Sequence, residues 1–295
     1  MLLAITLARF AGAQATAPPP RAAGIDAILV ADTSNGPEGT GANLFLLERM
    51  FEMVRDMGYD VTVTVLSEDR ATPGAIVHSI RRLDPGRMRN RTLFVYYAGH
   101  GGTDPRTGHF LRTPWGDLSR AVLLAEVRAR SPRLSLGITD CCSTRATFKG
   151  FLPRVPSPPE RRAVEHLLLQ HVGCVDMNAS SYQPERWLYQ AAFYDPTGGI
   201  FTRAFVSIFD PIPQPAPQVG PVAAGEPDHG GYYRRFHADH PAHHDRNEDG
   251  FIDWTEARGY LDATVSASFQ GFRAEVRSGR ILEMANAADR RLLDS

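Results

Sequence analysis

The sequence predicts an α/β fold, a mostly parallel central sheet flanked by helices in three layers. Three observations carry this reading. Short apolar, β-branched or aromatic runs recur at Ala27-Ile-Leu-Val-Ala31, at residues 59–66, at Phe94-Val-Tyr-Tyr97 and at Leu134-Ser-Leu-Gly-Ile138, as buried parallel strands do. Segments with helical periodicity separate them. The alternation strand–helix–strand–helix–strand–helix–strand then demands right-handed crossovers, which put helices on both faces of a parallel sheet.

In chain order, residues 1–15 read as an export signal peptide. The apolar run from Met1 leads to Ala11-Gly-Ala-Gln-Ala15, an Ala-x-Ala cleavage pattern, although Arg9 follows the apolar run instead of preceding it. This predicts a periplasmic or extracellular protein, with the cytoplasm as the other option. Residues 16–24 form an Ala/Pro linker, and the first strand ends at Asp32. From Asn43, the residues Leu44, Leu47, Phe51 and Val54 recur at helical spacing, with Gly58 as C-cap. Thr72-Pro73 reads as an N-cap followed by proline at the first helical position, with Ile76, Ile80 and Leu83 on one face. Residues 101–116 read as a loop and 118–130 as a helix.

Beyond the fourth strand, 151–163 is an exposed linker, with Pro153, Pro156, Pro158 and Pro159. A helix over 160–172, a fifth strand over 172–178 and a helix over 201–209 follow. Residues 211–244 are a Pro/His-rich loop without periodicity, and 245–295 carry a calcium-like loop and helices.

Hydrophobic residues at 43% and charged residues at 22% are ordinary globular values, which excludes wholesale disorder. A formal net charge of −1 argues against nucleic acid or an anionic membrane as main partner. No apolar run reaches the ~18 residues of a membrane span. Three cysteines, two of them adjacent, make no disulfide framework, so catalysis better explains at least one thiol.

Two strands stop at reactive side chains. Phe94-Val-Tyr-Tyr-Ala-Gly-His100-Gly-Gly102 ends in an imidazole and two glycines, and Leu134-Ser-Leu-Gly-Ile-Thr-Asp140-Cys-Cys142 ends in a carboxylate and two thiols. Ligands in open α/β sheets bind beyond the carboxyl ends of the strands, so a histidine and a cysteine there would face each other. A cysteine hydrolase needs a thiolate, a base to form it and donors for the oxyanion. His100 can serve as base. Gly101, lacking a side chain, can bring its backbone N–H to the reacting carbonyl, with the cysteine's own N–H as second donor.

These motifs resemble the caspase-like fold of cysteine peptidases, closest to the metacaspase and bacterial caspase-like branch. The resemblance spans about residues 25–209, and includes Met177-Asn-Ala-Ser-Ser-Tyr182 and Gly199-Ile-Phe-Thr-Arg-Ala-Phe205. It implies a large-subunit-like region over 25–150 and a small-subunit-like region over 164–210. It makes His100 the general base and Cys142 the nucleophile, with Cys141 at a variable position. Asp140 would line the specificity pocket with help from Asp32, accepting a basic P1 side chain (Arg or Lys) by carboxylate pairing. Ser180, Ser181 and Tyr182 would line a groove in which an extended peptide adds as a strand. Two positions depart from the family pattern: Ser143-Thr-Arg-Ala146 stands where His-Ser-Gly is usual, and no acidic residue accompanies Tyr182. A catalytically silent calcium- or peptide-binding interaction module is therefore the rival expectation.

Asp245-Arg-Asn247-Glu-Asp249-Gly250-Phe251-Ile-Asp253-Trp-Thr-Glu256 fits the EF-hand loop at every ligand position. Carboxylates or an amide stand at 1, 3, 5, 9 and 12, the Phe251 carbonyl at 7, and Gly250 makes the sharp turn. The expected cofactor is calcium, held by Asp245, Asn247, Asp249, Phe251, Asp253 and Glu256. A helix leaves the loop with Leu261, Val265 and Phe269 on one face, while the preceding stretch lacks an entering helix. His237, His240, His243 and His244 read as a polar surface loop. The sequence thus predicts an exported cysteine endopeptidase acting on peptide or protein substrates, with calcium ordering its last helix.

Overall fold

The computed structural model describes residues 4–7, 21–33, 39–104, 108–141, 158–179, 182–183, 188–189, 194–195, 198–209 and 251–277. At its centre lie five parallel strands: β2 (Gly24–Ala31), β3 (Val61–Ser67), β4 (Arg91–Asp104), β7 (Leu134–Cys141) and β8 (Gly173–Asn178). Their spatial order is β3-β2-β4-β7-β8, with β1 (Ala4–Leu7) antiparallel on the outer edge of β8. Every residue of β2 and β7 is buried, as strands covered on both faces must be.

Side chains alternate between two cores. Ile25, Ala27, Leu29 and Ala31 of β2, Phe94, Tyr96 and Ala98 of β4, and Leu134, Leu136 and Ile138 of β7 share one. It is covered by α1 (Thr40–Asp56), α6 (Ile200–Val206) and α7 (Trp254–Arg277). Phe94 anchors this side, packing edge-on to Phe51 of α1 at 5.0 Å and against Phe205 of α6 at 5.9 Å. Phe205 in turn stacks on Trp254 of α7 at 6.3 Å. The opposite residues, Ile28, Val30, Leu93, Val95, Tyr97 and Cys141, face α2 (Pro73–Arg81), the single turn α3 (Pro85–Met88) and α4 (Arg120–Ala129). Thr72 caps α2 as its sequence predicts, accepting from the Ala75 N–H at 3.1 Å.

Four local features differ from the sequence reading. The stretch 101–116 is not a loop: β4 runs on to Asp104 and folds back through β5 (Gly108–Thr113) and β6 (Gly116–Ser119) as an antiparallel meander. The end of the 16–24 linker is part of the fold, since Ala22 is buried and donates to the Leu169 carbonyl at 2.7 Å. Part of the 151–163 linker is helix, α5 (Pro158–Ala163), with Ala163 fully buried.

The helix expected over 160–172 continues past α5 as a π-helix, Val164–Gln170, closed by a bond from the His171 N–H to the His166 carbonyl. Four successive carbonyls of this wide turn accept from elsewhere: Leu167 from Trp254 Nε1, Leu168 from Thr92 Oγ1, Leu169 from the Ala22 N–H, and Gln170 from Arg133. The apolar run of the expected signal peptide supplies β1, and residues 8–15 lie outside the described residues. No described helix is long and apolar enough to cross a membrane.

Candidate active site at the carboxyl ends of the strands

From β2 the chain moves outward to β3, then crosses back to place β4 on the other side of β2. The direction of winding therefore reverses between β2 and β4, and a crevice opens beyond the carboxyl ends of the strands at such a point. Asp32 follows β2 there. His100 and Gly101 lie on β4, and Asp140 and Cys141 end β7. β4 and β7 are adjacent and parallel, with Ala98 opposite Asp140 and Gly99 opposite Cys141. The two motif strands thus run side by side up to the residue before His100 and the residue before Cys142. Cys142 itself lies outside the described residues, as do Ser143, Ser180 and Ser181. Tyr182 belongs to a two-residue strand paired with Leu188–Tyr189.

The alternation of β7 separates its last two residues. Cys141 is 2% exposed on the α2/α4 side, against the backbone of Gly101. Asp140 points to the opposite side and is 0% exposed. Its Oδ2 accepts from Thr202 Oγ1 of α6 at 2.5 Å and from Asn43 Nδ2 of α1 at 3.3 Å. Asn43 also donates to the Tyr96 hydroxyl at 2.8 Å and accepts from the Gly199 N–H at 2.8 Å, while Tyr96 meets Thr202 at 2.8 Å. A buried carboxylate is tolerated when donors surround it, and this network supplies them. It also explains Gly199, where a Cβ would sit 2.1 Å from Asp140 Oδ2. Burial, followed by the charge of Asp140, pushes the Tyr96 phenol far above its ordinary range, so it remains a proton donor.

Asp32 is likewise buried, at 2% exposure; its N–H donates to the Ala98 carbonyl at 3.0 Å and its carbonyl accepts from Thr40 Oγ1 at 3.1 Å. On the α4 side, Arg120 makes a two-pronged pair with Asp176 of β8 and donates to Thr139 Oγ1 at 3.2 Å. Thr139 donates on to Asn178 Oδ1 at 2.9 Å. This chain of contacts ties the ends of β7 and β8 to the start of α4. His109 of β5 is close enough to Arg120 to be affected: burial first, then the guanidinium charge, lowers its imidazole to about 4.

Asn43, Thr202 and Arg120 were not singled out by sequence. Asn43 did carry a signal, an amide on the apolar stripe of α1. Thr202 sits between Phe201 and Phe205 with no comparable mark.

Of the calcium-like loop, Asp245, Asn247 and Asp249 lie outside the described residues. Phe251, Asp253 and Glu256 do not. The Phe251 ring stacks on His166 of the π-helix at 4.4 Å, and the Ile252 N–H donates to His166 Nδ1 at 3.0 Å. Asp253 Oδ1 accepts from the N–H groups of Thr255 and Glu256 at 2.7 and 2.9 Å, and Glu256 Oε2 accepts from the Asp253 N–H at 3.0 Å. This reciprocal capping box starts α7 and holds the ninth and twelfth loop positions together, with hard oxygen chemistry suited to calcium. Among the described residues no cluster of three metal-ligating side chains occurs. No known family model matches the chain, and no curated protein matches it in sequence.

Proposed function

We propose that the chain is a cysteine endopeptidase of the caspase-like fold, with Cys142 as nucleophile and His100 as base. The observation that carries this reading is the register of β4 against β7, which sets the residue before His100 opposite the residue before Cys142, on the strand pair next to the reversal point of a parallel sheet.

The chemistry follows from the groups. His100 takes the Cys142 proton, and the thiolate attacks the peptide carbonyl, forming a C–S bond and an oxyanion. The N–H groups of Gly101 and Cys142 would receive that oxyanion. The C–N bond then breaks as the imidazolium returns its proton to the leaving amine. Water, deprotonated by His100, attacks the thioester, and the released thiolate regains the proton. Asp140 and Asp32 would attract a basic P1 side chain, and Ser180, Ser181 and Tyr182 would border the peptide. Calcium would be held by Asp245, Asn247, Asp249, Phe251, Asp253 and Glu256, where it adds positive charge that offsets the loop's carboxylates. Self-processing at Arg161 or Arg162 would require α5 to unwind, since Arg161 donates to the Met57 carbonyl at 2.9 Å. Arg154, the other candidate, lies outside the described residues.

One observation favours the rival interaction module: Asp140 is wholly enclosed and hydrogen-bonded, as a structural carboxylate is. A peptide chloromethylketone with P1 arginine separates the two. The peptidase forms a covalent adduct at Cys142, located by peptide mass, and cleaves P1-Arg fluorogenic peptides. Absence of both, with and without calcium, overturns the enzyme reading, and cleavage selective for P1 aspartate overturns the basic-P1 assignment.

A further inference from the structure

One hydroxyl lies beneath the proposed base. β4 changes partner midway: up to Gly99 it pairs in parallel with β7, and from His100 onward it pairs antiparallel with β5. The side chain that spans this changeover is Tyr97, 1% exposed. Its hydroxyl lies 2.9 Å from the His100 carbonyl and also within donating reach of the Arg112 carbonyl. His100 and Arg112 are register partners across β4 and β5. A single proton shared between those two carbonyls therefore holds the first rung of the meander to the last part of the central sheet.

The intervening residue is built around this contact. Gly99 has φ of 154°, and a Cβ there would sit 2.6 Å from the Tyr97 hydroxyl and 3.2 Å from Asp32 Cβ. The space a side chain would need is already taken by the phenol. Burial, with smaller contributions from Cys141 and Asp32, holds that phenol far above its ordinary range, so it stays a proton donor.

We propose that Tyr97 is a positioning residue for His100: its hydroxyl, tied to the His100 and Arg112 carbonyls, fixes where β4 leaves the central sheet and so sets the imidazole against the nucleophile. The assignment rests on the peptidase reading above. Proton transfer is sensitive to placement of this kind, because a shift of about 1 Å can cost on the order of a hundredfold in rate.

The test compares wild type, Tyr97→Phe and Tyr59→Phe as full-length chains. Tyr59→Phe removes a hydroxyl contact to Glu165, remote from the strand ends. Each protein is titrated across pH with the P1-Arg chloromethylketone and assayed for kcat and KM on a P1-Arg peptide. Tyr97→Phe is expected to lower kcat and the labelling rate about tenfold, to leave KM within about twofold, and to displace the acid limb of the pH profile. Tyr59→Phe should reproduce the wild-type limb. A labelled wild type with an unchanged Tyr97→Phe rate and pH limb overturns the Tyr97 assignment alone. A displacement equal in both variants marks a general stability effect and overturns it too. A wild type that resists the reagent overturns the peptidase reading and this assignment together.

Discussion

The backbone of Gly101 closes on the side chain of Cys141: a Cβ at position 101 would lie 2.9 Å from Cys141 Cβ and 3.1 Å from its Sγ. The carbonyl of Phe110 stands at 3.0 Å on the same side, so β7 and β5 leave no room for a methyl. Gly101→Ala should therefore force strand movement and cost about 1–3 kcal/mol, read as a lower melting temperature. Cys141→Ala removes only a small buried thiol and should cost about 1 kcal/mol. Under the peptidase reading it keeps the P1-Arg adduct, whereas Cys142→Ala loses it.

The Asp140 network predicts a second result. Thr202→Val preserves shape but removes the hydroxyl that donates to Asp140 Oδ2, leaving a fully buried carboxylate short of a donor. Urea unfolding should show a loss of about 1–3 kcal/mol. Gly199→Ala should be worse, since its Cβ would collide with the Asp140 carboxylate and push it out of its hydrogen bonds. An unchanged midpoint for Thr202→Val would mean that Asp140 draws its stabilisation from other donors.

Acid should weaken the fold through two histidines. His109 is lowered from 6.5 to about 4 by burial and then by Arg120, and its buried Nδ1 has no hydrogen-bond partner among the described residues. His171 is lowered mainly by burial, with Asp253 opposing. Below about pH 6.5 the unfolded chain binds protons that the folded imidazoles refuse, so stability falls as pH drops from about 6.5 toward 4. For His109, partly solvated, the effect should reach about 1–2 kcal/mol over that window. Urea midpoints measured against pH should flatten in His109→Phe, and an unaltered slope would contradict the assignment.

The capping box at Asp253 and Glu256 separates structure from calcium. Asp253→Ala should cost about 1 kcal/mol without calcium, because the cap is lost, and more with it, because a loop ligand is lost as well. Glu256→Gln retains a capping acceptor but not the carboxylate. It should leave calcium-free stability within about 0.5 kcal/mol and abolish most of the melting-temperature rise on adding calcium. If calcium raises neither protein's melting temperature, nor the wild type's, the loop is not a calcium site.

The strands and their order of appearance were legible because burial on both faces leaves near-continuous apolar runs, as in β2 and β7. The cap at Thr72 was legible because its chemistry is local. The meander was not: Gly108-His-Phe-Leu-Arg-Thr113 is short and mixed, and the Gly-, Thr- and Pro-rich stretch around it reads as loop until its pairing with β4 is seen. Thr202 and Arg120 escaped for a related reason. A threonine in a helix and an arginine at a helix start read as ordinary until the fold brings Asp140 and Asp176 to them. The N-terminal apolar run suits either a leader or an edge strand, since both ask only for a few apolar residues in a row.

The wide turn at Val164–Gln170 has a consequence for how the gene can change. Its four outward carbonyls are addressed one apiece by α7, β4, the start of β2 and the approach to β7, each at a fixed step along the chain. Deleting or inserting one residue there would slide all four out of phase at once. The segment should therefore accept substitutions at its half-buried positions yet reject any change in length, and a length-scanning library selected for soluble protein would show a gap at these seven residues.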